Sequence, residues 1–189
     1  MTSGKVISVN GNMVRAEVDG DVSLNEVAYV IVGDQRLKSE VIRVRANTVE
    51  VQVFERTRGV GIGDQVEFTG EMLSVELGPG LLTQIYDGLQ NPLPKLAEKH
   101  GFFLKSGVYL DPLPRESKWQ FTPKASVGDT VERADTLGIV PEGVFEHQIM
   151  VPFSLYGTYK VKSIVDAGEY TVDDTIAEIE DEEGTVHKL

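Results

Sequence analysis

Apolar and polar residues alternate with a period of two through the first seventy positions, the spacing of strands that bury one face. Val6-Ile-Ser-Val9 and Met13-Val-Arg-Ala-Glu-Val18 flank Asn10-Gly11, a dipeptide that supplies the positive φ angles of a type I′ hairpin turn. Ala28-Tyr-Val-Ile-Val32 and the segment Gln35 to Arg45 are joined by Gly33-Asp34, a second hairpin signal. In Thr48-Val-Glu-Val-Gln-Val-Phe54 the pattern sends Val49, Val51 and Val53 inward and Glu50 and Gln52 outward. With Gln65-Val-Glu-Phe68 these make six closely spaced short strands, which predict a small closed β-barrel.

The period changes at Leu81. Leu81, Leu82, Ile85, Tyr86 and Leu89 fall on one helical face, predicting an amphipathic helix over Leu81 to Gln90 that Pro92 and Pro94 end. Lys95 to His100, closed by Gly101, would add one or two turns. Past Gly107 short strands return, punctuated by proline and glycine. Here Val127-Gly-Asp-Thr-Val-Glu-Arg-Ala-Asp-Thr-Leu-Gly-Ile-Val140 has a weaker echo in Ala167-Gly-Glu-Tyr-Thr-Val-Asp-Asp-Thr-Ile-Ala-Glu-Ile179. Each reads glycine and acid, a turn, then Asp-Thr opening an apolar strand. Such an echo predicts two quasi-equivalent halves of a β-sandwich. Lipoyl- and biotinyl-carrier domains are built in that way, but the expected hairpin tip, Pro141 to Gln148, holds no lysine to modify.

Composition then narrows the chemistry. The 189 residues include no cysteine, which excludes disulfides, thiolate nucleophiles and thiolate metal sites. No apolar run approaches the roughly 20 residues that span a bilayer, so direct membrane insertion is not expected. A formal net charge of -12 opposes binding to nucleic acid. The most basic stretch, Arg36 to Arg45, alternates with apolar residues and reads as the wet face of a strand. An oligonucleotide-binding barrel would need a basic, aromatic-lined face, which residues 1–70 do not suggest. From Asp166 onward acids dominate, Glu178, Glu180, Asp181, Glu182 and Glu183 among them, as in a solvated face, a frayed tail or a loose metal site.

Two glycine-rich stretches invite a phosphate reading. Gly59-Val-Gly-Ile-Gly-Asp64 has an aspartate where a dinucleotide loop carries its third glycine, and reads as a barrel turn. Gly78-Pro79-Gly80 lacks the lysine and Ser/Thr of a nucleotide-binding P-loop. His100, His147 and His187 are far apart, with no metal-ligand spacing. Trp119 and Phe121 are placed to stack a ligand, pack a sandwich core or line a domain seam. No catalytic, cofactor-binding or metal-binding residue is assigned in the chain.

Two stretches carry a family resemblance. Val75-Glu-Leu-Gly-Pro-Gly-Leu-Leu-Thr-Gln-Ile-Tyr-Asp-Gly-Leu-Gln-Asn-Pro-Leu93 closely resembles the strap of the catalytic A subunit, or alpha chain, of V/A-type rotary ATPases. Val151-Pro-Phe-Ser-Leu-Tyr-Gly157 with Ala167-Gly-Glu-Tyr-Thr-Val172 resembles the bulge insertion of that subunit. The resemblance covers essentially the whole chain. It implies a mainly β protein: a six-stranded barrel over residues 1–70, a strap with a short helix over 71–109, and a lipoyl-like barrel-sandwich over 110–189. In the family a P-loop domain follows, with its lysine and catalytic glutamate. Such a chain alone would be no enzyme, while the parent subunit hydrolyses or makes ATP with ATP, ADP and magnesium as ligands. The resemblance further implies the B subunit and peripheral stalk subunits as partners, and a cytoplasmic location, peripheral on the membrane. The barrel would join a ring of barrels through residues such as Tyr29, Ile31, Ile42 and Val44. A stand-alone binding or carrier-like β module is the alternative.

Overall fold

The computed structural model describes residues 2–101 and 106–189, so residues 102–105 of the 71–109 segment lie outside it. The chain divides into two compact units, one of residues 1–75 and 87–110, the other of 76–86 and 111–189.

In the first unit, strands β1 (Ser3–Asn10), β2 (Met13–Val18), β3 (Glu26–Val32), β4 (Gln35–Arg45), β5 (Thr48–Val53) and β6 (Gln65–Met72) close a barrel in the order β1-β2-β5-β4-β3-β6. Every pairing is antiparallel. Closure follows from the period-two pattern, because Val49, Val51 and Val53 point inward beside Val14, Val30, Leu37, Val41, Val66 and Phe68. A sheet edge left open would expose unpaired backbone groups, and closure removes it. Register shifts between Val6 and Ser8 and between Val41 and Arg43 bend the strands as a small barrel requires. The first hairpin differs from expectation by one residue. Asn10 pairs with Met13, so Gly11-Asn12 makes the turn, and of these two only Gly11 has a positive φ, 61°. That is the φ signature of a type II′ turn, not type I′.

The helix expected over Leu81 to Gln90 is absent: these residues form turns and extended segments. Thr83 and Gln90 take φ of 64° and 63°, outside the right-handed helical region. In the first unit Asp87 accepts the N–H groups of Leu89 and Asn91 on Oδ1 and the Asn91 amide on Oδ2, competing with helical bonding. The helix, α1, runs instead over Leu93–His100, with Pro94 in its first turn and Gly101 (φ 76°) closing it. Proline is tolerated in a first turn because its missing N–H would have no intrahelical partner there. Pro94 therefore helps to start a helix, where the sequence reading had it end one.

The first unit's connecting segment is tied to the barrel by one tyrosine. The Tyr109 hydroxyl donates to Glu55 Oε1 at 2.6 Å and accepts the Lys38 N–H at 2.8 Å, while Glu55 Oε2 accepts the Gly107 N–H at 2.7 Å. Burial, and then the bond to Glu55, push the Tyr109 hydroxyl pKa up.

In the second unit, β7 (Trp119–Pro123), β8 (Thr130–Val131), β9 (Thr136–Glu142), β10 (Phe145–Met150), β11 (Tyr159–Ile164), β12 (Gly168–Tyr170), β13 (Ala177–Glu180) and β14 (Val186–Lys188) form two four-stranded sheets, β10-β9-β7-β12 and β14-β13-β11-β8. The internal echo is visible in this topology. The short strand of each half pairs in the sheet that holds the other half's long strand: β8 lies beside β11 and β12 beside β7. Equivalent turns open the long strands. Asp135 Oδ2 accepts the Glu132 N–H before β9, and Asp174 Oδ2 accepts the Thr171 N–H before β13. The acidic C-terminal run is no frayed tail, since Leu189 bonds back to Ala177 and Ile176 and β14 pairs with β13.

Candidate functional site

Two of the places that the sequence singled out carry most of the polar side-chain contacts described below, a glycine-rich turn in the second unit and the outer wall of the barrel. In Gly78-Pro79-Gly80, Gly80 has φ of 103°, a conformation that side chains disfavour. A Cβ there would meet Pro114 at 2.7 Å and Trp119 at 3.2 Å. The turn leaves backbone N–H groups aimed at one point, the geometry that in other proteins holds an anion. An internal anion fills it here. Glu142, 8% exposed at the end of β9, accepts the N–H of Gly80 at 2.8 Å and of Leu82 at 3.0 Å on Oε1. Its Oε2 lies 2.9 Å from His147 Nδ1. A buried carboxylate is costly unless its lone pairs are engaged, and these three donors engage both oxygens. Arg115 Nη2 donates to both Glu76 carboxylate oxygens at 2.6 Å, and its Nη1 donates to Asp173 at 3.0 Å. Tyr86 donates to the Pro112 carbonyl at 3.0 Å. The stretch 76–86 is thus fastened to the sandwich by a buried carboxylate, a forked guanidinium and a phenol.

The other glycine-rich stretch is satisfied in the same manner. Asp64 Oδ2 accepts the Gly61 N–H at 2.8 Å, closing the barrel turn with its own carboxylate. Phe121 is 1% exposed and packs edge-on against Tyr170, so it belongs to the sandwich core. Trp119 packs against that cluster, and its Nε1 is buried with no hydrogen-bond partner among the described residues. The histidines stay apart: His100 in the last turn of α1, His147 on Glu142, and His187 in β14, edge-on to Tyr159 and 3.8 Å from Asp181. Among the described residues no group of three or more His, Asp or Glu side chains is arranged to hold a metal ion. No helix is long and apolar enough to cross a membrane among them.

On the barrel wall the four surface candidates separate. Tyr29 is half-buried, edge-on to Tyr109 with ring centroids 6.3 Å apart and beneath Arg36 at 4.5 Å. Ile31 is also half-buried, whereas Ile42 and Val44 are exposed by 40% and 38%. Beside them, register places Arg15, Glu50 and Arg43 side by side on β2, β5 and β4. Glu50 accepts Arg15 at 2.7 Å and Arg43 at 3.2 Å. The Arg15 hydrogen bond, reinforced by the fields of Arg43, Arg15 and Arg45, holds the Glu50 carboxyl below the usual range. Sequence reading missed both Glu142 and this row. Glu142 lies 62 residues from Gly80, beyond any local spacing rule. The row was legible only as separate outward positions, because it needs the β2-β5-β4 order to come together.

A closed six-stranded barrel followed along the chain by a glycine-rich strap and a two-sheet sandwich is the domain order of the ATP synthase alpha/beta subunits. The model of the ATP synthase alpha/beta family beta-barrel domain matches residues 6–70, and that of the ATP synthase alpha/beta subunit barrel-sandwich domain matches residues 110–189. The chain belongs to this family, and its similarity is to the N-terminal region of V-type ATP synthase alpha chains. It is 63% identical over 188 residues to the V-type ATP synthase alpha chain of Treponema denticola, covering 100% of this chain and 32% of that one. Against alpha chain 1 of Treponema pallidum the identity is 60%, with the same coverage. Against the alpha chain of Borreliella afzelii it is 57%, covering 100% of this chain and 33% of that one. The chain spans about a third of the length of these relatives.

Proposed function

We propose that this chain serves assembly within a V/A-type rotary ATPase, as the non-catalytic N-terminal part of the A subunit. The barrel, residues 1–70, joins a ring of alternating A and B subunits. The sandwich, 110–189, contacts peripheral stalk subunits, and the strap, 71–109, carries the chain between them. Nucleotide and magnesium are ligands of the parent subunit, which couples ATP turnover to proton or sodium transport while lying peripherally on the membrane. The observation that carries this reading is collinearity: barrel and barrel-sandwich follow one another in family order, within an alignment that takes in all of this chain. In support, the two glycine-rich turns that resemble phosphate loops have amides already bonded to Glu142 and Asp64.

The test is to mix the chain with the V-type B subunit of the same organism and weigh the products by native mass spectrometry. An equimolar complex is expected, together with no ATP hydrolysis by the chain alone. Absence of any complex at micromolar concentrations, or ATP turnover by the isolated chain, would overturn the reading.

A further inference from the structure

The outer wall of β2, β5 and β4 holds a concavity of about 200 Å³ lined by Arg15, Arg43, Arg45, Thr48 and Glu50. Three guanidinium groups line it with one carboxylate, which pairs with two of them, leaving two positive charges in excess on a chain whose formal net charge is -12. Arg15 and Arg43 are both anchored on Glu50, so their planar donors are ordered before anything binds. Arg45 has no acidic group within 4 Å among the described residues, yet it lies near enough to depress Glu50. Register sets Arg43 opposite Glu50 and Arg45 opposite Thr48, so both arginines leave β4 on its outward face, the face opposite to that of Val44, which pairs with the buried Val49. Oriented arginines with an unspent charge match the enrichment of arginine at protein docking surfaces.

We propose that this pocket receives an aspartate or glutamate side chain of the neighbouring subunit, with Arg45 as its principal partner. The proposal rests on the assembly reading above and adds the chemistry of the contact. Guanidinium pairs a carboxylate through two parallel N–H donors, which fixes orientation as well as charge. The Thr48 hydroxyl lies in the same pocket and can donate to a second carboxylate oxygen. Screening at physiological ionic strength acts over about 8 Å, so a contact of this kind weakens with added salt.

The experiment measures affinity of the chain for the B subunit at low and high sodium chloride, for wild type, Arg45→Glu, Arg45→Lys and Lys124→Glu. Arg45 makes no ion pair in the barrel, so its reversal leaves the barrel intact, which circular dichroism checks. Lys124 is an exposed cation of the second unit and supplies the same change in net charge. The expected result is at least about a tenfold loss of affinity for Arg45→Glu at low salt, a flatter salt dependence, partial retention by Arg45→Lys, and little change for Lys124→Glu. Wild-type binding that survives Arg45→Glu unchanged would overturn the inference and leave the assembly reading standing. Failure of wild type to bind at all would remove the reading itself. If inorganic phosphate shifts the Arg45 guanidinium resonance while Arg45→Glu leaves partner affinity untouched, the pocket takes a free anion and the docking role is wrong.

Discussion

Single residues decide whether the strap is held. Glu142 alone supplies the acceptors for Gly80 and Leu82, and charge-assisted bonds of this type are each worth about 1.5–3 kcal/mol. Replacing Glu142 with alanine should leave both amides open to water and speed their hydrogen exchange about tenfold or more, with the sandwich strands still protected. Unchanged exchange at Gly80 and Leu82 would mean that Arg115 and Tyr86 hold the strap by themselves. Gly138 is a second such position. A Cβ on it would run into the Phe121 ring and come within 2.8 Å of the Thr122 carbonyl oxygen. Gly138→Ala should therefore destabilise the second unit by about 1–3 kcal/mol, as overpacking does, read as a lower urea midpoint at constant slope.

At the scale of elements, the two Asp-Thr turns set where β9 and β13 begin, and the second of them responds to acid. The Thr171 N–H and then its hydroxyl bond the charged form of Asp174, holding its carboxyl below the ordinary aspartate range. A depressed folded-state pKa gives stability that is complete above the ordinary value and is lost as pH falls through the lower one. The melting temperature of wild type should exceed that of Asp174→Asn near neutrality, and the difference should shrink to nothing in strong acid. A gap that persists undiminished into strong acid would show that the turn does not depend on the carboxylate. These turns were legible in sequence because the Asp-Thr echo repeats, and the barrel strands were legible because alternation survives in Val49, Val51 and Val53. The strap was not. Leu81, Leu82, Ile85, Tyr86 and Leu89 have helical spacing, but the Leu82 N–H goes to Glu142, 60 residues away, and Asp87 takes the Leu89 and Asn91 N–H groups, while Thr83 and Gln90 take positive φ. Burial of Tyr29 under Tyr109 was equally hidden, since 80 residues separate the pair and only the folded segment brings them together.

At the scale of the whole molecule, each unit has its own core, Val14 to Phe68 in the barrel and Leu137, Val161 and Ile179 with their neighbours in the sandwich. Two cores on one chain suit a part that contributes shape and contact surfaces to a larger machine. Arg45 on the barrel is then the position where substitution should alter assembly and spare folding. The central claim, that these residues serve assembly of a rotary ATPase, is tested most directly by a chimera. The N-terminal region of the Treponema denticola V-type ATP synthase alpha chain, 63% identical to this chain, would be replaced by it and the product combined with its B subunit. The account predicts that the chimera forms the ring and hydrolyses ATP at a rate comparable to the parent. A folded chimera that fails to associate would contradict it.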